Sequence, residues 1–385
     1  MSPAKKAALG VGLLFSSNGL VFASLLPWYP QLKAALGLSA TQFGIIVAMG
    51  AVGALTASAL PPHVLKLFGP RMSSLVSTAL MCFLLACIPW VPNGFLFGLI
   101  LFLTGAADSV ADVSQNVSGV RVQTAARRNI LSSMHALWSL GAAAGGALGT
   151  AGAAAGMSFK IFVAIMAVVG MCLVFAGNTL IGSLADAPAP DDSAAPAPRP
   201  ALRVLLLAVA PLAALSVAGA VVEDLANNWG ALAGVQLAGM SAGTAGLVVT
   251  AVIASQSIGR FTGDPLTGRF GARAVARVGS GLILFGGLLV LFSHGAPLLF
   301  LGFCLAGFGT ATLIPGAFAA AAHIPGVSEG AGVTMISWVL RLGGLLTSPI
   351  VGVVTDNAGL RWGMAALVVS GCVALITSRA LPARS

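Results

Sequence analysis

Long apolar runs separated by short polar breaks fill this chain from end to end. A helix needs roughly 20 apolar residues to cross a hydrocarbon core of about 30 Å, and twelve runs approach or reach that length. Six lie near 8–29, 40–61, 73–90, 94–118, 130–155 and 158–182; six more lie near 204–225, 240–262, 275–293, 297–320, 330–353 and 361–380. The opening stretch from Ala7 to Trp28 is long enough to span and lacks a cleavage site, so it reads as a first span rather than a signal peptide. The expected fold class is an all-α polytopic membrane protein with twelve transmembrane helices.

Charge placement supports this count. With the N-terminus inside, 15 Lys and Arg fall on cytoplasmic segments, among them Lys5, Lys66, Arg71, Arg121, Arg127, Arg128, Arg260, Arg269 and Arg273. Three fall opposite, Lys33, Lys160 and Arg361, and Arg341 lies within a span. Cytoplasmic loops carry an excess of Lys and Arg, so both termini are expected in the cytoplasm. The segment 183–203 is rich in Pro, Ala and Asp. It cannot bury enough apolar area to fold and reads as a cytoplasmic linker. It divides the chain into an N-terminal six-helix bundle, 1–182, and a C-terminal one, 204–385.

Composition adds exclusions. Hydrophobic residues make up 58% of the 385 and charged residues 8%, against about 25% charged in a soluble domain. That excludes a soluble enzyme, a secreted disulfide module and a disordered chain. The net charge of +9 is spread between apolar runs rather than gathered on one face, so no nucleic-acid partner is expected. Cys82, Cys87, Cys172, Cys304 and Cys372 all sit inside apolar runs without metal-ligand spacing and read as small packing residues. No nucleotide loop or catalytic triad is evident. The chain reads as no enzyme, with no cofactor and no metal.

The two halves echo one another. Phe68-Gly69-Pro70-Arg71 returns 202 residues later as Phe270-Gly271-Ala272-Arg273, in the matching loop of the second half. Trp138-Ser139-Leu140-Gly141 is echoed by Trp338 and Leu342-Gly343. A two-fold repeat with a hinge suits rocking of two bundles about a central site.

On these residues the chain resembles the major facilitator superfamily over essentially its whole length. That family carries a glycine, acid, basic and glycine signature in the two repeated loops, here Gly263-Asp264-Pro265-Leu266-Thr267-Gly268-Arg269-Phe270-Gly271-Ala272-Arg273 in the second copy. Gly268 stands where the family usually has an acid, and Lys66 takes the acidic place in the first copy. The resemblance implies a conformational-latch role for loop residues Arg71, Asp264, Arg269 and Arg273. Asp112-Val113-Ser114-Gln115-Asn116, the segment Ser133–Gly141, and Glu223 placed six residues before Trp229 are similar to the fucose–proton symporter-like branch. The resemblance further implies two pseudo-symmetric bundles of the major facilitator fold, secondary active transport by alternating access, a bacterial inner membrane as the lipid setting, and function as a monomer.

Charges at the bilayer centre are costly unless they face a cavity or a partner, which makes them functional candidates. The acids within spans are Asp108, Asp112, Glu223 and Asp224. Asp108, Asp112 and Asn116 are spaced by four and share one helical stripe. Two carboxylates one turn apart disfavour each other's charge, so such a pair takes up and releases a proton as water access alternates. Asp112 is the first candidate for coupling, with Asp108 as its partner. Pairing with Arg121, Arg127 or Arg341, or capping of a kink, is the structural alternative.

Glu223 and Asp224 are about 100° apart on a helix, so one of the two faces a cavity, and Glu223 is the better candidate. The seventh helix should reach the outer surface near 224, with Asn227, Asn228 and Trp229 as a broken end. Arg341 is the basic residue placed near a midplane; it either binds an anionic substrate or neutralises one of these acids. Asn18, Gln256 and Asn116 suit hydrogen bonds to a polar cargo, and Trp138 and Trp338 fall at related places in the two halves. Convergent Asn, Gln and acid groups, with 7% aromatics and a single Tyr, favour a small polar metabolite and protons as partners. A proton-driven efflux antiporter for amphipathic compounds is the alternative.

Overall fold

The computed structural model describes residues 2–126, 130–182, 202–321, 324 and 329–383. Arg127, Arg128 and positions 183–201 of the expected linker lie outside the described residues. All elements among the described residues are helical. In the first half they are α1 (Pro3–Ser24), α2 (Tyr29–Ala35), α3 (Ala40–Thr56), α4 (Leu60–Cys87), α5 (Gly94–Ala126), α6 (Leu131–Ala154) and α7 (Phe159–Ile181). In the second half, α8 (Leu202–Asp224) passes through a π turn, Leu225–Trp229, into α9 (Gly230–Ala238). Then follow α10 (Gly246–Phe270), α11 (Ala272–Leu291), α12 (Ala296–Thr310), α13 (Leu313–Ala321), α14 (Glu329–Ala358), α15 (Leu360–Gly363) and α16 (Ala365–Thr377).

Nine helical segments among the described residues are long and apolar enough to cross a membrane. One, Ala40–Trp90, has 51 residues, about 76 Å of helix. It turns at Gly69, where φ is 71°, and so makes two crossings. With α6 and α10 included, the described helices make twelve. The break between α12 and α13 falls at Ala311 and Thr312, one turn before Pro315, which has no N–H to offer the carbonyl of Ala311.

Two boundaries depart from the sequence expectation. The seventh crossing runs Ala208–Ala238, not 204–225, because the polar cluster at 223–229 is absorbed by the π turn instead of ending the helix. Glu223 and Asp224 therefore sit midway along the crossing rather than at its outer end. Arg260, expected in a cytoplasmic segment, lies within the helix α10, ten residues before its end.

Contacts divide the chain into two compact units. One holds most of the first half with Ala242–Leu247; the other holds most of the second half with Ser39–Gly44. In the first unit, α6 lies close along α1. An added Cβ at Gly141 would stand 2.1 Å from the Ser16 carbonyl oxygen, and one at Gly145 would stand 2.3 Å from that of Leu20. This glycine ladder lets the two backbones approach, as small residues do in membrane helix pairs. Ala7, Val11, Leu14, Phe15, Val122, Met134, Val174 and Ile181 form the apolar core beside it.

The repeated loops share a backbone as well as a sequence. Gly271 has φ 84°, matching Gly69, and only glycine adopts this region without strain. The following arginines tie each loop within its own unit. Arg71 Nε donates to Asn178 Oδ1 at 3.1 Å, near the end of α7. Arg273 Nε donates to the Leu381 carbonyl at 2.8 Å, just past α16.

Candidate transport site

Three polar clusters stand along the membrane crossings. The first joins α1, α5 and α6. Asn18 is buried, and its Nδ2 donates to Asp108 Oδ1 at 2.7 Å. Its Oδ1 accepts from Trp138 Nε1 at 2.8 Å. One amide thus uses both ends to hold an acid and an indole. The glycine ladder explains how: Gly19 next to Asn18 would place a Cβ 2.2 Å from the Trp138 carbonyl oxygen, so the two helices meet at this level. Phe22 stacks on the Trp138 ring with centroids 6.2 Å apart.

Asp112 lies one turn along α5 and is exposed. Its carboxylate accepts from Asn116 Nδ2 at 2.9 Å. The expected stripe of Asp108, Asp112 and Asn116 is therefore two arrangements: Asp108 turns to α1, while Asp112 and Asn116 bond along their own helix. A step of four residues rotates about 40° around a helix axis, which separates the ends of the stripe.

The second cluster joins α8 and α10. Glu223 Oε1 accepts from Gln256 Nε2 and from Arg260 Nη2, the latter at 2.9 Å. Gln256 and Arg260 are four apart on α10 and so present both donors to one carboxylate. Of the two readings of Arg341, substrate binding or neutralisation of one of these acids, the second does not apply to Glu223, whose cation is Arg260. Arg341 lies on α14 and is exposed, with no hydrogen bond or ion pair among the described residues, and Trp338 beside it is 52% exposed.

The third cluster surrounds the π turn. Asp224 accepts from Asn228 Nδ2 at 2.8 Å through Oδ1 and from the Ser348 hydroxyl through Oδ2. Trp229 Nε1, fully buried, donates to Ser348 Oγ at 3.0 Å. The adjacent acids Glu223 and Asp224 thus face different helices, one α10 and the other α14. Ser348 and Arg260 carry no site role in the sequence reading, which names Asp224 but places it behind Glu223. The spacing of Gln256 and Arg260 was the available signal for Arg260.

Of the loop candidates, Arg71 and Arg273 make the helix-end bonds described above, and Arg269 lies over the Phe270 ring at 5.3 Å. The side chain of Asp264 lies outside the described residues. Among those described, no group of His, Cys, Asp and Glu is arranged to hold a metal ion.

A family model for the Major Facilitator Superfamily matches residues 204–384. An uncharacterised MFS-type transporter of Yersinia pestis is 25% identical over 382 residues, covering 98% of this chain and 94% of the relative. The crystal structure of the nucleoside transporter NupG superposes with a TM-score of 0.70 at 14% identity, covering 99% of this chain and 98% of that one. The fucose:proton symporter FucP of E. coli gives 0.59 at 19% identity, covering 97% and 98%. The C-terminal half, 204–384, thus matches the Major Facilitator Superfamily, nearly the whole chain is similar to MFS-type transporters, and its helical fold is the one those solved transporters share.

Proposed function

We propose that this chain is a secondary transporter that moves a small polar metabolite together with a proton. Its two bundles, 1–182 and 204–385, would rock about the linker 183–203, with both termini in the cytoplasm of a bacterium and the chain working as a monomer. Asp112 carries the coupling proton, with Asp108 as its partner. Asn18, Asn116, Trp138, Glu223, Gln256, Arg341 and Trp338 supply the polar and aromatic contacts to cargo.

The observation that supports this reading most is the chain of bonds from Trp138 through Asn18 to Asp108. It sets an acid, an amide and an aromatic face side by side in mid-crossing. Such groups recognise a solute that offers hydroxyl or amine donors as well as carbon faces. One turn away, the carboxylate of Asp112 is exposed and accepts from the Asn116 amide, so it stands where water and protons reach it. The segments that carry Arg71, Arg269 and Arg273 are those through which conformational latching would act.

The test is proteoliposomes loaded with a pH-sensitive dye and challenged with sugars, carboxylates, amino acids, nucleosides and lipophilic cations. A polar solute that drives proton entry supports the reading. Proton movement driven only by lipophilic cations would replace it with efflux of amphipathic compounds.

A further inference from the structure

The carboxyl of Asp224, which the proposed mechanism does not use, lies midway along a membrane crossing and has only neutral partners. Its hydrogen bonds come from the Asn228 amide and the Ser348 hydroxyl. No cation lies within ion-pair distance of it among the described residues, whereas its neighbour Glu223 has Arg260. The groups facing it from packed elements are neutral too. Around the π turn these are Asn228 and Trp229, and on α14 it is Ser348; α12, α13 and α16 carry no charged residue. On α14, Arg341 is seven residues before Ser348, about 10 Å along the axis, and Asp356 is bound to the Ala40 and Thr41 amides at 2.8 Å each. An uncompensated charge in such a place is costly, and a carboxyl relieves the cost by binding a proton.

From this geometry we infer that Asp224 is a proton-binding site of its own, with Ser348 as the relay that reports its state to Trp229. In the ionised form the Ser348 hydroxyl donates to Asp224 Oδ2 and accepts from Trp229 and, at 3.4 Å, from Asn228 Nδ2. When a proton adds to Oδ2, the new O–H donates back to Ser348 Oγ in place of the long Asn228 contact, and that amide keeps its bond to Asp224 Oδ1. The serine hydrogen then needs another acceptor, and the helix supplies one. Residue 349 is a proline without an N–H, so the carbonyl of Leu345, one turn earlier on α14, lacks its helical partner. Serines in this chain bond carbonyls three residues back, as Ser17 does to Leu14 at 2.8 Å and Ser24 to Val21 at 2.9 Å. The Asp224–Ser348 bond therefore survives both forms with its direction reversed, and no proton acceptor is left unpaired. The π turn contributes by setting Asp224, Asn228 and Trp229 around one hydroxyl, a convergence that π turns often serve at functional sites. Phe43 packs edge-on against Trp229 at 5.4 Å and closes the far side of the indole.

The inference deepens the proton-coupled reading and rests on it for its purpose, but its test needs no cargo. The whole chain is placed in lipid nanodiscs without solute and titrated from acid to alkaline pH. Two signals are followed: the fluorescence component removed by Trp229→Phe, and the infrared band of protonated carboxyl. Both should titrate together with a single proton, and both should vanish in Asp224→Asn. Asp112→Asn should leave the Trp229 component in place. In Ser348→Ala the carboxyl band should persist while the Trp229 response falls at least severalfold, a result that stands even where Asp224→Asn fails to fold. A Trp229 component that does not change with pH, or that titrates unaltered in Asp224→Asn, overturns the inference. Loss of solute-driven proton flux in Asp112→Asn tests the other reading and leaves this one untouched.

Discussion

At the scale of single residues, neighbouring acids have been given different partners. Glu223 is held by a cation, and removing that cation leaves a charge in a membrane crossing. Arg260→Gln should lower thermal stability in detergent. Both side chains are part-exposed, at 38% and 30%, so the loss should be about 1–2 kcal/mol and not the larger cost of a fully buried pair. Combining Arg260→Gln with Glu223→Gln should recover much of it. If the double variant loses as much as the two singles together, the pair is not coupled. In the first unit, Trp138→Phe removes the indole donor to Asn18 and should cost about 1 kcal/mol. It should also weaken solute exchange severalfold, because Asn18 then no longer fixes Asp108. Exchange kinetics at equal pH on both sides would read this directly.

The element scale shows what the pattern of apolar runs can and cannot convey. All twelve crossings were legible, because a membrane helix is specified by the length of its apolar run. The limit of the seventh was not. Glu223, Asp224, Asn227 and Asn228 look from sequence like a helix leaving the membrane, yet the apolar segment Ala208–Ala238 continues past them, and Gln256, Arg260 and Ser348 satisfy the two acids from other helices. Partners distant in sequence are invisible to a local reading. Asn18 next to Asp108 and Trp138 was legible only as three separate polar residues, since the contact depends on the α1–α6 glycine ladder that brings the helices together. That ladder can be tested. Gly141→Ala places a methyl 2.1 Å from the Ser16 carbonyl oxygen, which nothing but a shift of backbone relieves, and should cost about 1–3 kcal/mol. Gly344→Ala, where an added methyl meets nothing within 4 Å, is the matched control and should be near neutral. Melting temperatures of the two variants make the comparison.

For the whole molecule, the sequence repeat and the structural repeat coincide. Gly69 and Gly271 both take positive φ, and Arg71 and Arg273 each fasten their loop near the end of the last helix of their half. The loop arginines thus have a structural duty within each unit, besides the latch proposed from family resemblance. Gly271→Ala should lose about 1–2 kcal/mol through the left-handed backbone alone, measured as a shift in unfolding midpoint. The central claim is that a proton travels with the solute and that Asp112 carries it. The most direct measurement is solute accumulation in proteoliposomes driven by an inward proton gradient, in wild type and Asp112→Asn, with solute exchange at equal pH as the reference. The account predicts gradient-driven accumulation in wild type, and in the variant at least a tenfold loss of it with exchange retained. Accumulation that survives unchanged in Asp112→Asn would contradict it.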